Sequence, residues 1–183
     1  MKRLRIVSFF FLFCSSIFLA AQGKRITQKG EISFTSNAQL EVITASSDKV
    51  QGIIDPATNQ FAFSVLIQSF KGFNSALQRE HFNENYMESE KYTKASFTGK
   101  IIEQVNFEKD SSYVIRAKGD LDIHGQKQTR IIKGKINIKN GVVQIESDFL
   151  VPLSDHNISV PRIVSQKIAN EIEVKFKASM PRQ

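Results

Sequence analysis

Three histidines, His81, His124 and His156, and a single cysteine, Cys14, are the side chains with the most chemistry to offer in this chain of 183 residues. The histidines show no H-E-x-x-H spacing, and one cysteine cannot build a thiolate cage, so the residues that usually hold a catalytic or structural zinc are missing. His81, Glu84 and Glu88 would share one face of a helix and could hold a metal, but a charged run of this kind reads better as a solvated face. His124 sits beside Gly125 on the polar side of its segment, which makes it an exposed hairpin residue. There is no G-x-S-x-G elbow and no dinucleotide fingerprint, and Phe97-Thr98-Gly99-Lys100 lacks the upstream glycine of a phosphate loop. Carboxylates are plentiful, but an acid–base pair needs a dry pocket to drive its two pKa values apart. The sequence therefore predicts a protein that is not an enzyme and uses neither a cofactor nor a metal.

The elements that would position a site begin after residue 21. Lys2, Arg3 and Arg5 precede an apolar run from Ile6 to Ala21. That order of charge, apolar stretch and small residues is the pattern of a cleavable secretory signal over residues 1–21, leaving residues 22–183 as one domain. The run is short for a spanning helix, which needs about 18 or more apolar residues. Phe13 stands before Cys14 where a lipidation signal would have a small residue. The expected form is exported and periplasmic, and it carries no cysteine and hence no disulfide. Losing three signal cations lowers the formal charge from +7, and the remaining Lys and Arg are dispersed among acids. That excludes nucleic acid as a favoured partner and leaves room for transient contact with an anionic membrane; it does not specify an oligomeric state.

From residue 24 onward the dominant pattern has a period of two, the spacing that sends side chains to opposite faces of a strand. Tyr113, Ile115, Ala117, Gly119, Leu121 and Ile123 form a dry parity, against the wet parity of Val114, Arg116, Lys118, Asp120, Asp122 and His124. The same alternation places Ile172, Val174, Phe176 and Ala178 on one face, Phe61, Phe63, Val65 and Ile67 on another, and Phe97, Gly99 and Ile101 on a third. Val143, Ile145, Phe149 and Val151, and Ile132, Gly134, Ile136 and Ile138, complete the set. Gly30–Phe34, Gln39–Ala45 and Lys49–Ile54 bring the total to roughly eight or nine strands. Asn140-Gly141 and His124-Gly125-Gln126 are hairpin turns, and Asp55-Pro56-Ala57-Thr58-Asn59 and Asp110-Ser111-Ser112 are further connections. The fold class is all-β, an antiparallel barrel or sandwich.

One segment breaks the alternation. Asn74 to Glu90 lacks Gly and Pro and places Phe73, Leu77 and His81 at helical spacing beside Phe82 and Tyr86, which predicts one or two short helices capped by Asn74 or Ser75. Their dry stripe would lie on the sheet or over a barrel mouth. Pro152 to Pro161 is a second irregular element.

His81-Phe82 leading through Lys91-Tyr92 to Ala95-Ser96-Phe97, then Gly119-Asp120-Leu121-Asp122-Ile123-His124-Gly125, then the Val151 to Val174 region, together resemble the YceI-like family of bacterial exported proteins. The resemblance implies a lipocalin-like antiparallel barrel of about eight strands with a short helical insertion, holding a polyisoprenoid or another long lipid. In such a barrel the tail would lie against Phe34, Phe61, Phe63, Val65, Ile67, Phe97 and Ile101 on one side. Ala117, Gly119, Leu121, Phe149, Val174 and Phe176 would face it from the other. Phe73, Leu77 and Phe82 would cover it, and His81, Asn85 and Tyr86 would meet the head group. Space would open beside the small residues Gly99, Ala117, Gly119, Gly134 and Ala178. Two other readings fit the pattern alone: a fully packed barrel acting as an interaction or stress-response module, and an enzyme that modifies a lipid. Eight-stranded barrels exist in both packed and hollow forms.

Overall fold

Period-two segments become the eight strands of a closed barrel in the computed structural model, which describes residues 23–182. They are β1 (Arg25–Asn37), β2 (Val42–Asp55), β3 (Gln60–Leu66), β4 (Lys94–Ile101), β5 (Ser111–Ile123), β6 (Gln126–Lys139), β7 (Val142–Pro152) and β8 (Glu171–Met180). Every strand pairs antiparallel with its sequence neighbours, and β8 returns to β1 through Glu31↔Lys177 to Thr35↔Glu173. The expected all-β antiparallel barrel is the fold observed. The secretory signal expected over residues 1–21 falls outside the described residues.

Gln39–Ala45 and Lys49–Ile54, expected as two strands, belong largely to the single strand β2. The residues between them, Ser46-Ser47-Asp48, continue the ladder through a bulge, with Ile32↔Ser47 followed by Gly30↔Val50. The Ser47 hydroxyl accepts a hydrogen bond from the Lys49 amide at 3.1 Å, occupying a donor that the bulge takes out of the ladder. The two shortest hairpins behave as read. His124 and Gly125 (φ 53° and 70°) and Asn140 and Gly141 (φ 51° and 76°) both turn through the left-handed region, as tight hairpins require. Asp110-Ser111-Ser112 is no turn, because β5 begins at Ser111; the β4–β5 connection is instead the longer stretch 102–110.

The connections make the two ends of the barrel unlike. At one end the β2–β3, β4–β5 and β6–β7 links form a floor. Phe107, from the β4–β5 connection, is fully buried there with Ile54, Ile136, Val143 and Met180. Arg25, also buried, seals the floor by donating from Nη1 to the Gly141 carbonyl at 2.8 Å and from Nη2 to the Phe107 carbonyl at 3.1 Å, with Glu108 at 3.4 Å. At the other end lie the β1–β2 and β5–β6 links, the long β7–β8 connection, and the insertion between β3 and β4. The insertion holds helix α1 (Ala76–His81), capped by Ser75 accepting from the Gln78 amide, and continues as a π turn over Phe82–Tyr86. The β7–β8 connection carries 3₁₀ turns at Leu153–His156 and Arg162–Val164.

Two departures from regular pairing shape the wall. Gly99 faces Gly119 across β4 and β5 so closely that a Cβ on Gly119 would stand 2.2 Å from the Thr98 carbonyl oxygen. Between β6 and β7 the main-chain ladder runs from Lys139↔Val142 to Lys135↔Glu146. Beyond it the strands are joined by side chains: Ser147 Oγ donates to the Lys133 carbonyl at 2.6 Å, and Arg130 donates to the Leu150 carbonyl at 3.0 Å.

Candidate functional site

Burial along the inward faces locates the site. Inward residues near the floor, such as Ile115, Ile136, Val143 and Met180, are buried, as a packed core requires. Higher up, Phe63, Phe97, Ala117, Phe149, Val174 and Phe176 have the same inward parity but remain only half-buried. They face a cavity of about 530 Å3 that runs from the helical insertion down to Ile54 and Ile101. On β7 alone it is lined from Ile145 to Val151, a span of roughly 20 Å at about 3.3 Å of strand per residue. The volume falls within the roughly 300–1,000 Å3 of small-molecule sites.

Aromatic rings make much of the lining. Deep in the barrel, Phe61 and Phe97 stand 4.9 Å apart between ring centres, and Phe63 meets Phe176 edge-on at 5.0 Å. Near the mouth, Phe34 stacks on Phe82 at 5.3 Å, with Phe70 and Phe73 against both. The insertion supplies three of these four rings, so the connection between β3 and β4 is itself a cavity wall.

Of the residues expected to line a tail, Phe34, Phe61, Phe63, Val65, Ile67, Phe73, Phe82, Phe97, Ile101, Ala117, Leu121, Phe149, Val174 and Phe176 all border the cavity. His81 and Tyr86 border it as well, near the mouth. Leu77, Asn85 and Gly119 do not. Gln78, His81 and Phe82 face inward at helical spacing, which turns Leu77 about a quarter-turn away and leaves it 57 % exposed. The wider π turn carries Tyr86 back over the mouth, and Asn85 faces solvent. Gly119 has the inward parity, but its missing side chain admits the β4 backbone rather than a ligand, and Gly99 in turn admits the β5 backbone at Lys118 and Gly119. Of the remaining small residues, Gly134 borders the cavity, and Ala178 is packed into the floor cluster. Sequence reasoning missed Phe70, Ile32 and Met87 in the lining, and Lys167 at its edge. Phe70 and Met87 lie in connections without periodicity, so only the local density of Phe around residues 70–82 could have pointed to them.

The mouth is where polar atoms gather. Gln78 donates from Nε2 to Glu41 Oε1 at 2.5 Å, and both side chains border the cavity with His81, Tyr86 and Lys167. Burial raises the pKa of the Tyr86 phenol, which keeps it a neutral donor. Among the described residues no three His, Cys, Asp or Glu side chains are grouped to hold a metal. Glu88 lies instead 3.3 Å from His124 Nε2. His124 is therefore not the exposed hairpin residue expected. Its ring packs edge-on against Tyr92 at 4.6 Å, and Nδ1 lies 3.0 Å from the His156 carbonyl, because the connections at this end fold over the β5–β6 turn.

His156 is fully buried at that latch, with Nδ1 3.1 Å from the Gln126 carbonyl. Desolvation lowers its pKa below the ordinary 6.5, outweighing the Gln126 and Ile123 carbonyls and Asp155, which raise it; Arg130 lowers it further. The folded protein thus holds this imidazole neutral, whereas the unfolded chain takes up a proton as the pH drops through the ordinary value. This contribution to stability is complete above about pH 6.5 and declines below it. Urea titrations of the native chain and of His156→Gln across that range should show a shallower acid decline in the variant. Equal slopes would contradict the assignment.

A family model described as the YceI-like domain matches residues 25–180. No curated protein sequence matches the chain. Among solved structures, a polyisoprenoid binding domain from Saccharophagus degradans is similar at a TM-score of 0.73 and 12 % identity, covering 88 % of this chain and 99 % of that one. BcnA of Burkholderia cenocepacia is similar at 0.68 and 16 %, covering 82 % and 96 %. The Campylobacter jejuni YCEI protein is similar at 0.55 and 12 %, covering 100 % and 91 %. At such identities these structures speak to the fold.

Proposed function

This chain belongs to the YceI-like domain family, and we propose that it is an exported, periplasmic binding or carrier protein that holds one long apolar molecule of polyisoprenoid type in its barrel. The observation that carries this reading is the half-buried state of inward-facing residues such as Ala117, Val174 and Phe176, above a floor sealed by Phe107 and Arg25. A pocket closed at one end and lined by rings and aliphatic chains suits a tail, which needs shape and dryness rather than hydrogen bonds. Support also comes from the polyisoprenoid binding domain of Saccharophagus degradans, which shares the fold. The head group sits at the mouth, within reach of Gln78, His81, Tyr86 and Lys167. Binding is the reading the lining supports, with an apolar depth and polar groups gathered at the mouth.

Length dependence tests this reading. In displacement assays with isoprenoid alcohols of increasing length, affinity should climb by roughly several hundredfold per fully buried five-carbon unit, at about 0.8 kcal/mol per buried carbon, and level off once the cavity is full. Weak affinity that does not vary with length would overturn it.

A further inference from the structure

Charge is mixed on the helical insertion, where Glu80, Glu84, Glu88 and Glu90 stand among Lys71, Arg79 and Lys91, and Glu88 faces both Lys91 and His124. The β1–β2 link, which meets the insertion where Asn74 donates to the Val42 carbonyl and Gln78 to Glu41, and the second half of the β7–β8 connection form one stretch of the rim, tied together by the Leu40 amide donating to the Gln166 carbonyl at 2.9 Å and the Ala169 amide donating to Ser36 Oγ at 2.9 Å. Glu41 in this stretch is held by Gln78, and from Asn157 to Asn170 it contains Arg162 and Lys167 and no carboxylate. Among the described residues neither cation takes part in an ion pair, whereas Asp155 at the start of the same connection pairs with Arg130 of β6 at 3.2 Å. Between the two cations in sequence Ile163 projects into solvent with 92 % of its surface exposed, and Leu40 and Val42 of the β1–β2 link are 63 % and 51 % exposed. The next residue, Val164, faces the cavity, as do Ile168 and Ile43. The outer apolar tip is therefore continuous with the inner lining.

We propose that this stretch of the rim docks on an anionic lipid bilayer, with Ile163 and Leu40 inserting among the acyl chains and Arg162 and Lys167 meeting the lipid phosphates. The inference deepens the carrier reading and rests on it: a cargo dissolved in a bilayer reaches the cavity without crossing water if the rim itself enters the bilayer. Apolar tips flanked by unpaired cations are the chemistry of interfacial attachment.

The test is co-sedimentation of the mature chain with vesicles of phosphatidylglycerol mixed with phosphatidylcholine, compared with vesicles of phosphatidylcholine alone. Binding is expected to require the anionic lipid and to weaken with salt. Ile163→Asp should lower the partition coefficient by about tenfold or more, and Arg162→Glu with Lys167→Glu by about fivefold per cation. These side chains are exposed, so thermal unfolding should not change. Uptake of a detergent-solubilised isoprenoid alcohol by Ile163→Asp should also stay unchanged, while its transfer from vesicles slows. A wild-type chain that ignores anionic vesicles, or rim variants that bind them equally well, would overturn the docking inference. Uptake in solution is read separately, so a chain that takes the alcohol but not the vesicles contradicts docking alone. A chain that binds vesicles but takes no alcohol contradicts the carrier reading on which transfer depends.

Discussion

Ala117→Phe is expected to weaken binding of a long isoprenoid by about a hundredfold while leaving the protein as stable as before or more so. Ala117 lies mid-strand on β5, opposite Ile101 and Ile132, with its side chain directed into the cavity. A phenyl ring there displaces roughly four methylenes' worth of tail, about 3 kcal/mol at about 0.8 kcal/mol each. In the ligand-free protein the same ring fills empty space and gains contacts that the void denies its lining. A packed barrel would respond in the opposite way, since an inserted ring would overpack it at about 1–3 kcal/mol. The pair of measurements, isothermal titration with the ligand and urea unfolding without it, therefore separates a hollow barrel from a packed one. Unchanged affinity together with reduced stability would contradict the cavity.

The largest loss of stability should come from the floor. Phe107→Ala is expected to cost about 3–5 kcal/mol, the range for removing a fully buried aromatic ring. Phe107 has no strand to hold it and touches Ile54, Val143 and Met180 from a connection, and its carbonyl is one of the two that anchor Arg25. Arg25→Met should also destabilise, because it strands the buried Phe107 and Gly141 carbonyls without a donor. Denaturant midpoints check both. A loss below about 1 kcal/mol for Phe107→Ala would mean that the floor is not the closed end.

How much of this was legible in the sequence follows from what periodicity can encode. The alternation in Tyr113 to Ile123 and Ile172 to Ala178 identified inward faces correctly, since a strand with one wet side leaves no other choice. The same alternation looks identical over a packed core and over a cavity, so Ala117 and Ile115 could not be told apart until their burial was known. Gly119 illustrates a second limit. A glycine of inward parity suggests room, but here the room is taken by the backbone of β4, a long-range approach with no local signature. Leu77 and Asn85 failed because the stripe on a short helix depends on where it docks, and the change to a π turn shifts the phase after Phe82. Phe70 and Phe107 were missed because they lie in connections, where no period marks what is buried. Gln39–Ala45 and Lys49–Ile54 were separated into two strands because the bulge between them uses the same small polar residues, Ser46-Ser47-Asp48, as a loop.

The central claim is that one apolar molecule occupies the barrel. Its most direct test is native mass spectrometry of the protein purified from the cells that make it, followed by organic extraction and mass analysis of what is released. The expected result is a complex heavier than the chain by the mass of one lipid, with that lipid recovered in the extract in a one-to-one ratio and reduced in the Ala117→Phe variant. A chain that is repeatedly found at its own mass alone, with an empty extract, would contradict the claim.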